Sequence, residues 1–381
     1  MLDKLKKIDL PIVILLLLFM IISTMLVYSA TVDHPTISIS IKKNLLIYAA
    51  GLIGFIFMTL FDYRLLSKIA VYLYITGIVS LVAVYFFGAR IHGARGWFEL
   101  PGGLTFQPAE LMKLILIITV SVWLGRRGGE RLELTSDVVP VGLLVLLPFV
   151  LVLIQPDLGN AIIYLIILLG MYWIGNIKYT HVLIGTAIVA GGLALFLLLF
   201  QHYHDPIEAF LGNMGFGHWV ARIDTFLDPG SVSRDAKFQV ENSIRAIGSG
   251  GLSGEGYLQG SSIHSNFIPY AYSDSIFVVV GEEFGFRGAA LLLLMYFLLI
   301  YRMILISIQS QHLSGSYMVV GVVSMFVFQI FENVGMLIGV MPLTGITLPF
   351  VSYGGTSLLI NMLSIGLVTS VKVHQEKIDM F

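Results

Sequence analysis

The chain has 381 residues, 57% hydrophobic and only 12% charged, with a formal net charge of −1. That composition excludes a soluble globular domain, and the charge balance gives nucleic acid no purchase. With no cysteine, disulfides, thiol catalysis and cysteine metal sites are excluded as well.

Mean hydropathy is +0.90, and apolar runs approach the ~20 residues a helix needs to cross a bilayer. The runs are continuous rather than alternating, so the expected class is all-α: a polytopic membrane protein, not a β-barrel. The first run follows basic residues, as in a signal peptide. It extends from Leu10 to Tyr28, longer than the ~7–15 residues of a signal core, and is read as an uncleaved first helix. Ten spans are expected, near 10–30, 44–61, 69–88, 107–125, 138–154, 158–175, 181–200, 274–300, 315–340 and 354–371. Residues 1–381 then form one transmembrane domain with a large extracytoplasmic loop over 201–273. Twelve Lys and Arg fall in loops on the N-terminal side, against four (Lys42, Lys43, Arg90, Arg95) in the short loops opposite. Basic residues accumulate in the cytoplasm, so both termini are expected there. No internal repeat is visible, which disfavours a transporter built from two halves.

The unusual polar residues concentrate toward the outer face. In "RIHGARGWFELPGG", Arg95 and Trp97 lie outside; Trp97 is an interfacial belt residue or a platform for stacking a sugar. In "TFQPAELMKL", Glu110 and Lys113 are three apart and share a helix face. They form a structural ion pair, or Glu110 holds Lys113 where it meets an anionic ligand. In "QPDLGN", Asp157 caps the sixth span.

The long loop carries "HYHD", a weak metal pattern, and aromatic residues suited to packing on the membrane surface. Its "AIGSGGLSGEGYLQGS" has no GK[ST] and is not a P-loop; it is flexible backbone, or amides that bind a diphosphate. The eighth span opens on Asp274, either a helix cap or a catalytic carboxylate at the wet end of a helix. Glu282 is eight residues on, about two turns, and so on the same face. Glu283 and Arg287, four apart, are expected to neutralise one another, making this trio buried support. "MPLTGITLPFVSYGGTS" joins the last two spans.

Taken together, "GARGWFELPGGLTFQPAELMKL", "QPDLG", "IGSGGLSGEGYLQGS", "SDSIFVVVGEEFGFRG" and "NVGMLIGVMPLTGITLPFVSYGGTS", in this order, resemble the SEDS family of bacterial cell-wall synthesis (RodA, FtsW and SpoVE). The likeness spans nearly the whole chain. It implies ten spans with a large outer loop after the seventh, in the bacterial cytoplasmic membrane. It also implies a peptidoglycan glycosyltransferase that polymerises lipid II for cell shape, division or sporulation, with a class B penicillin-binding protein as partner. The family's catalytic aspartate falls on Asp274, its loop tryptophan on Trp97, its Glu–Lys pair on Glu110 and Lys113, and its "QPDLG" aspartate on Asp157. The chain departs from the family around the aspartate. Tyr270, Tyr272 and Ser273 replace an acid, a histidine and a threonine, Ser275 an aromatic, and Asn160 a threonine.

The chemistry needs a carboxylate to take a proton from the acceptor hydroxyl, and positive charge where the diphosphate leaves. Lys113, Arg95, Arg222 and Arg245 are candidates for that charge, with a divalent cation (magnesium or manganese) as another source. Two other classes compete: a lipid-linked precursor flippase, which needs a comparable polar site on the inner side, and a non-catalytic scaffold for a penicillin-binding protein.

Overall fold

The computed structural model describes residues 7–34, 39–91, 94–100, 104–213 and 234–375. Among them, nine helices are long and apolar enough to cross a membrane, and a tenth, Leu158–Ile174, is a shorter apolar helix. In chain order the helices are α1 (Leu10–Thr31), α2 (Ile41–Leu60), a short α3 (Tyr63–Lys68), α4 (Ala70–Phe87) and α5 (Pro108–Gly125). They continue with α6 (Val139–Ile154), α7 (Leu158–Ile174), α8 (Tyr179–His202), α9 (His204–Asn213), α10 (Arg234–Ser249) and a one-turn α11 (Ser261–His264). The last three are α12 (Ile276–Gln309), α13 (Leu313–Leu337) and α14 (Gly355–Val373). The protein is therefore a polytopic α-helical membrane protein, as its apolar runs require.

Between α4 and α5 lies a small antiparallel sheet, β1 (Ala89–Ile91), β2 (Ala94–Leu100) and β3 (Leu104–Phe106), in that spatial order. Trp97 pairs with Ala89, and Phe98 with Phe106. The span pattern carries no sign of this sheet, because three-residue strands are shorter than any period that could reveal them.

The core is built on α5 and α14, the two most enclosed spans. α14 packs along α2, and α13 packs on α5, α7 and α12. Helix association in lipid relies on close approach at small residues. At Gly366 a Cβ would lie 2.8 Å from the Phe55 carbonyl, so a larger residue would force α14 off α2. α8 stands at the periphery, with most of its described side chains exposed.

The eighth span departs furthest from expectation. α12 has 34 residues, about 51 Å at 1.5 Å per residue, far more than one crossing needs. It begins at Ile276 rather than at Asp274, and it is broken at Gly285 (φ 61°, ψ −160°) into 276–284 and 286–309.

The glycine string fills that break. Glu255 and Gly256 donate their backbone N–H to the carbonyls of Glu282 (2.9 Å) and Glu283 (3.1 Å), and Phe286 and Arg287 donate theirs to Gly251 (2.9 Å) and Leu252 (3.2 Å). A Cβ at Gly254 would sit 2.1 Å from the Glu283 carbonyl, and Gly254 itself has φ +79°. The string is thus a backbone stitch across a broken helix. This corrects both expectations for it, flexible backbone and diphosphate cradle: the Glu255 and Gly256 amides are already bound to α12.

Candidate functional site

Asp274 lies just before α12, at the end of the bundle where the 341–354 connection and the sheet also lie. Ser275 takes the cap position of α12 but makes no side-chain cap bond, so Asp274 is not a helix cap. Instead, the Asp274 backbone carbonyl accepts a hydrogen bond from Asn333 Nδ2 on α13 at 2.7 Å. The same Nδ2 donates to the carbonyl of Ile346, also at 2.7 Å. The Asp274 carboxylate faces the turn at Gly345, whose Cβ position would be 3.6 Å from Oδ2. Its Oδ1 is buried and has no hydrogen-bond partner. Burial pushes the carboxyl up to about 6, against the pull of its own and Ser275's backbone N–H groups.

Further polar residues gather around Asp157 at the starts of α5 and α7. Glu110 Oε2 and Lys113 Nζ are 2.7 Å apart and almost fully buried. Asp157 caps α7, accepting from the Asn160 backbone N–H (3.1 Å) and from Asn160 Nδ2 (2.8 Å). Gln107 Nε2, just before α5, donates to Asp157 at 2.7 Å. Burial pushes the Asp157 carboxyl above its ordinary range against the Asn160 hydrogen bonds, and the Glu110 charge adds to the push. A Cβ on Gly159 would meet Ile346 Cγ1 at 2.7 Å and the Thr344 carbonyl at 3.4 Å. Residues 344–346 are therefore flanked by Asp274 on one side and by the first turn of α7, with its Asp157 cap, on the other.

Trp97 is half-buried in β2. Its neighbour Gly96 lies beside Gln107, and Thr356 Oγ1 at the start of α14 donates to the Thr105 carbonyl of β3 at 2.5 Å. The sheet is thus fastened to the rim of the same site. The Arg95 backbone runs in β2 opposite Arg90; its side chain lies outside what the structure describes, as does all of Arg222. Arg245 does not join the group: its side chain is exposed on α10 and meets Glu241 at 3.8 Å.

Two expectations for α12 are corrected. Glu282 does not share a face with Asp274, which is outside the helix. It caps α11, accepting from the amides of Ser262 (2.8 Å) and Ile263 (3.1 Å). Glu283 does not pair with Arg287, because the break at Gly285 separates them and undoes the four-residue register. Glu283 instead accepts from Ser29 Oγ on α1 and lies 3.5 Å from His264 Nε2, while His264 Nδ1 lies 2.8 Å from Asp33. In "HYHD", His204 rests against Asp205 (3.4 Å) and the Phe200 ring, and among the described residues no three His, Asp or Glu side chains gather as a metal site would require.

Sequence reasoning passed over Glu332 and Asn333. Both are buried on α13; Glu332 Oε1 accepts from Thr344 Oγ1 at 3.0 Å. Their signal was available: two adjacent polar residues inside an apolar helix are costly unless engaged.

Comparisons with known proteins bear on the family and the fold. Residues 5–377 match the FtsW/RodA/SpoVE family model, described as cell cycle protein. The peptidoglycan glycosyltransferase MrdB of Escherichia coli K12 is 33% identical over 365 residues, covering 95% of this chain and 94% of that protein. Stage V sporulation protein E of Bacillus subtilis 168 is 31% identical over 372 residues, 95% and 96% of the two chains. Among solved structures, a chain of a peptidoglycan synthase complex that coordinates polymerization and crosslinking superposes with TM-score 0.76 at 27% identity, covering 97% of this chain and 99% of that one. The rod shape determining protein RodA of Thermus thermophilus superposes with TM-score 0.68 at 25% identity, over 97% and 98% of the chains.

Proposed function

Because the chain belongs to the FtsW/RodA/SpoVE family, we propose that this peptidoglycan glycosyltransferase polymerises lipid II at the end of the bundle that bears Asp274. That end faces outward across the bacterial cytoplasmic membrane, and both termini are cytoplasmic. The excess of Lys and Arg at the opposite end supports this orientation. A class B penicillin-binding protein is the proposed partner, supplying the crosslinking step.

Asp274 acts as general base. It takes the proton of the acceptor sugar hydroxyl as that oxygen attacks the donor's anomeric carbon; the bond from that carbon to the lipid diphosphate breaks, and the diphosphate leaves with the electron pair. The observation that carries this reading is the Asp274 carboxylate itself. It is partly exposed at the mouth of α12, faces a turn shared with Asp157, and is pushed up to about 6, so that it is ionised at neutral pH yet basic enough to accept a proton. Lys113, held by Glu110, supplies positive charge for the departing diphosphate. A flippase would need a comparable open site at the other end, where the buried carboxylates Asp9 and Asp137 are instead bound by cations.

Glycan polymerisation from lipid II by the purified full chain tests the proposal. Asp274→Asn, expressed and folded normally, is expected to lose roughly 10²–10⁴ in rate. Polymerisation at the wild-type rate by that variant would remove Asp274 from the chemistry.

A further inference from the structure

The run "NVGMLIGVMPLTGITLPF" begins on Asn333, and the chemistry above leaves that residue without a role. Asn333 is fully buried on α13, and no titratable group is needed to explain it. Its amide nitrogen spends its two hydrogens on two backbone carbonyls that are 72 residues apart in the chain, those of Asp274 and Ile346. Asp274 precedes the first residue of α12; its segment is tied elsewhere by the Tyr353 N–H on the Tyr272 carbonyl at 2.9 Å, and the Asn333 amide is what holds the Asp274 carbonyl itself. The turn that Asn333 holds on its other side contains Gly345, the residue facing Asp274 Oδ2. Next to it, Glu332 grips Thr344 of the same turn at 3.0 Å. One side chain thus sets both the backbone of the carboxylate and the surface it faces.

We propose that Asn333 is the positioning residue for Asp274: its amide fixes the carboxylate-bearing segment against the 344–346 turn, and so sets where the carboxylate stands for the acceptor hydroxyl. This rests on Asp274 being the base. Asn333 never touches the sugar; it acts through the two carbonyls it holds. Misplacement of a catalytic group by about 1 Å can lower a rate by ~10²-fold, which is the scale expected here.

The test is Asn333→Leu, close in shape but without a donor, assayed on lipid II beside Asp274→Asn. The expected result is a kcat lower by about 10²-fold with KM within about twofold of wild type. The acid limb of the rate profile should also move toward lower pH, because a carboxylate released from its buried setting regains water. The titratable groups around Asp274 are Tyr270 and Tyr272 on its own segment, Tyr353 packed against Tyr272, Glu332 behind Thr344, and Asp157 at the α7 end that flanks the 344–346 turn; none of them is altered. A merely structural role would lower the active fraction and leave the limb where it was. If Asn333→Leu does not yield a monodisperse protein, Asn333→Ser and Gly345→Ala are the second arm. The first removes the double donor with a smaller polar group, and the second puts a methyl carbon 3.6 Å from Oδ2; both are expected to lower kcat. Wild-type kcat and an unmoved acid limb in the Asn333 variants, with Asp274→Asn inactive, would overturn the positioning role alone. Full activity in Asp274→Asn would overturn the general base and Asn333's role with it.

Discussion

The two ends of the helical bundle treat buried charge in opposite ways. At the end where the described chain starts and finishes, Asp9 receives Arg302 and Lys372, each at 2.6 Å, and also caps α1 through the Ile12 amide. Burial pushes the Asp9 carboxyl up, but the hydrogen bonds and charges of Arg302 and Lys372 outweigh it and hold it below the usual range. Arg127 does the same for Asp137 at 2.8 Å. At the other end, Asp157 rests on Asn160 and Gln107, Glu282 on the α11 amides, Glu283 on Ser29 and Glu332 on Thr344, and of these carboxylates with Glu110 and Asp274 only Glu110 meets a lysine or arginine among the described residues. Paired charge fastens helices, whereas carboxylates left short of cations are a liability that a fold keeps where a reaction uses them.

That contrast can be broken most forcefully at Lys113. Lys113→Met strands Glu110 inside the bundle and is expected to cost about 3–5 kcal/mol of stability, read as earlier thermal unfolding in detergent. The double variant Glu110→Gln/Lys113→Met should recover most of that stability and still polymerise poorly. If the double variant were fully active, the pair would be structural alone.

Asp9→Asn sharpens the other side. Arg302 and Lys372 keep 32% and 28% of their side chains exposed, so solvent softens the loss to about 2 kcal/mol. The rate per folded molecule should stay at the wild-type value. Because the folded state holds Asp9 ionised, this contribution is present above the ordinary carboxylate range and fades as pH falls below it.

The smallest structural effect belongs to the residue with the largest chemical one. The folded state raises the Asp274 carboxyl to about 6, so it favours the neutral form there, and stability from this group declines as pH rises through that value. Asp274→Asn should therefore unfold no earlier than wild type at neutral pH. The wild-type rate should rise with pH through about 6 and then level, as the base becomes ionised. A rate already flat from pH 5 upward would point to a different group.

Much of this was legible in the sequence because the signals are local. Apolar runs mark the spans, the three-residue spacing puts Glu110 beside Lys113, and "QPDLGN" announces the cap made by Asp157. The Glu283–Arg287 spacing misled because it presumes an unbroken helix, and nothing at Gly285 alone announces the break. The stitch that causes it is made of backbone atoms, which leave no side-chain pattern to read. The tie from Asn333 to Asp274 joins residues 59 apart, so only packing of α13 against α12 could show it.

The glycine stitch has a mechanical consequence for the enzyme. Residues 251–256 are sewn to 282–287, and Asp274 sits on the ring of chain so enclosed. A tug arriving along the polypeptide from upstream of Gly250 meets this seam first, as a strain on a cable meets its clamp. The carboxylate stays in register until the seam itself tears.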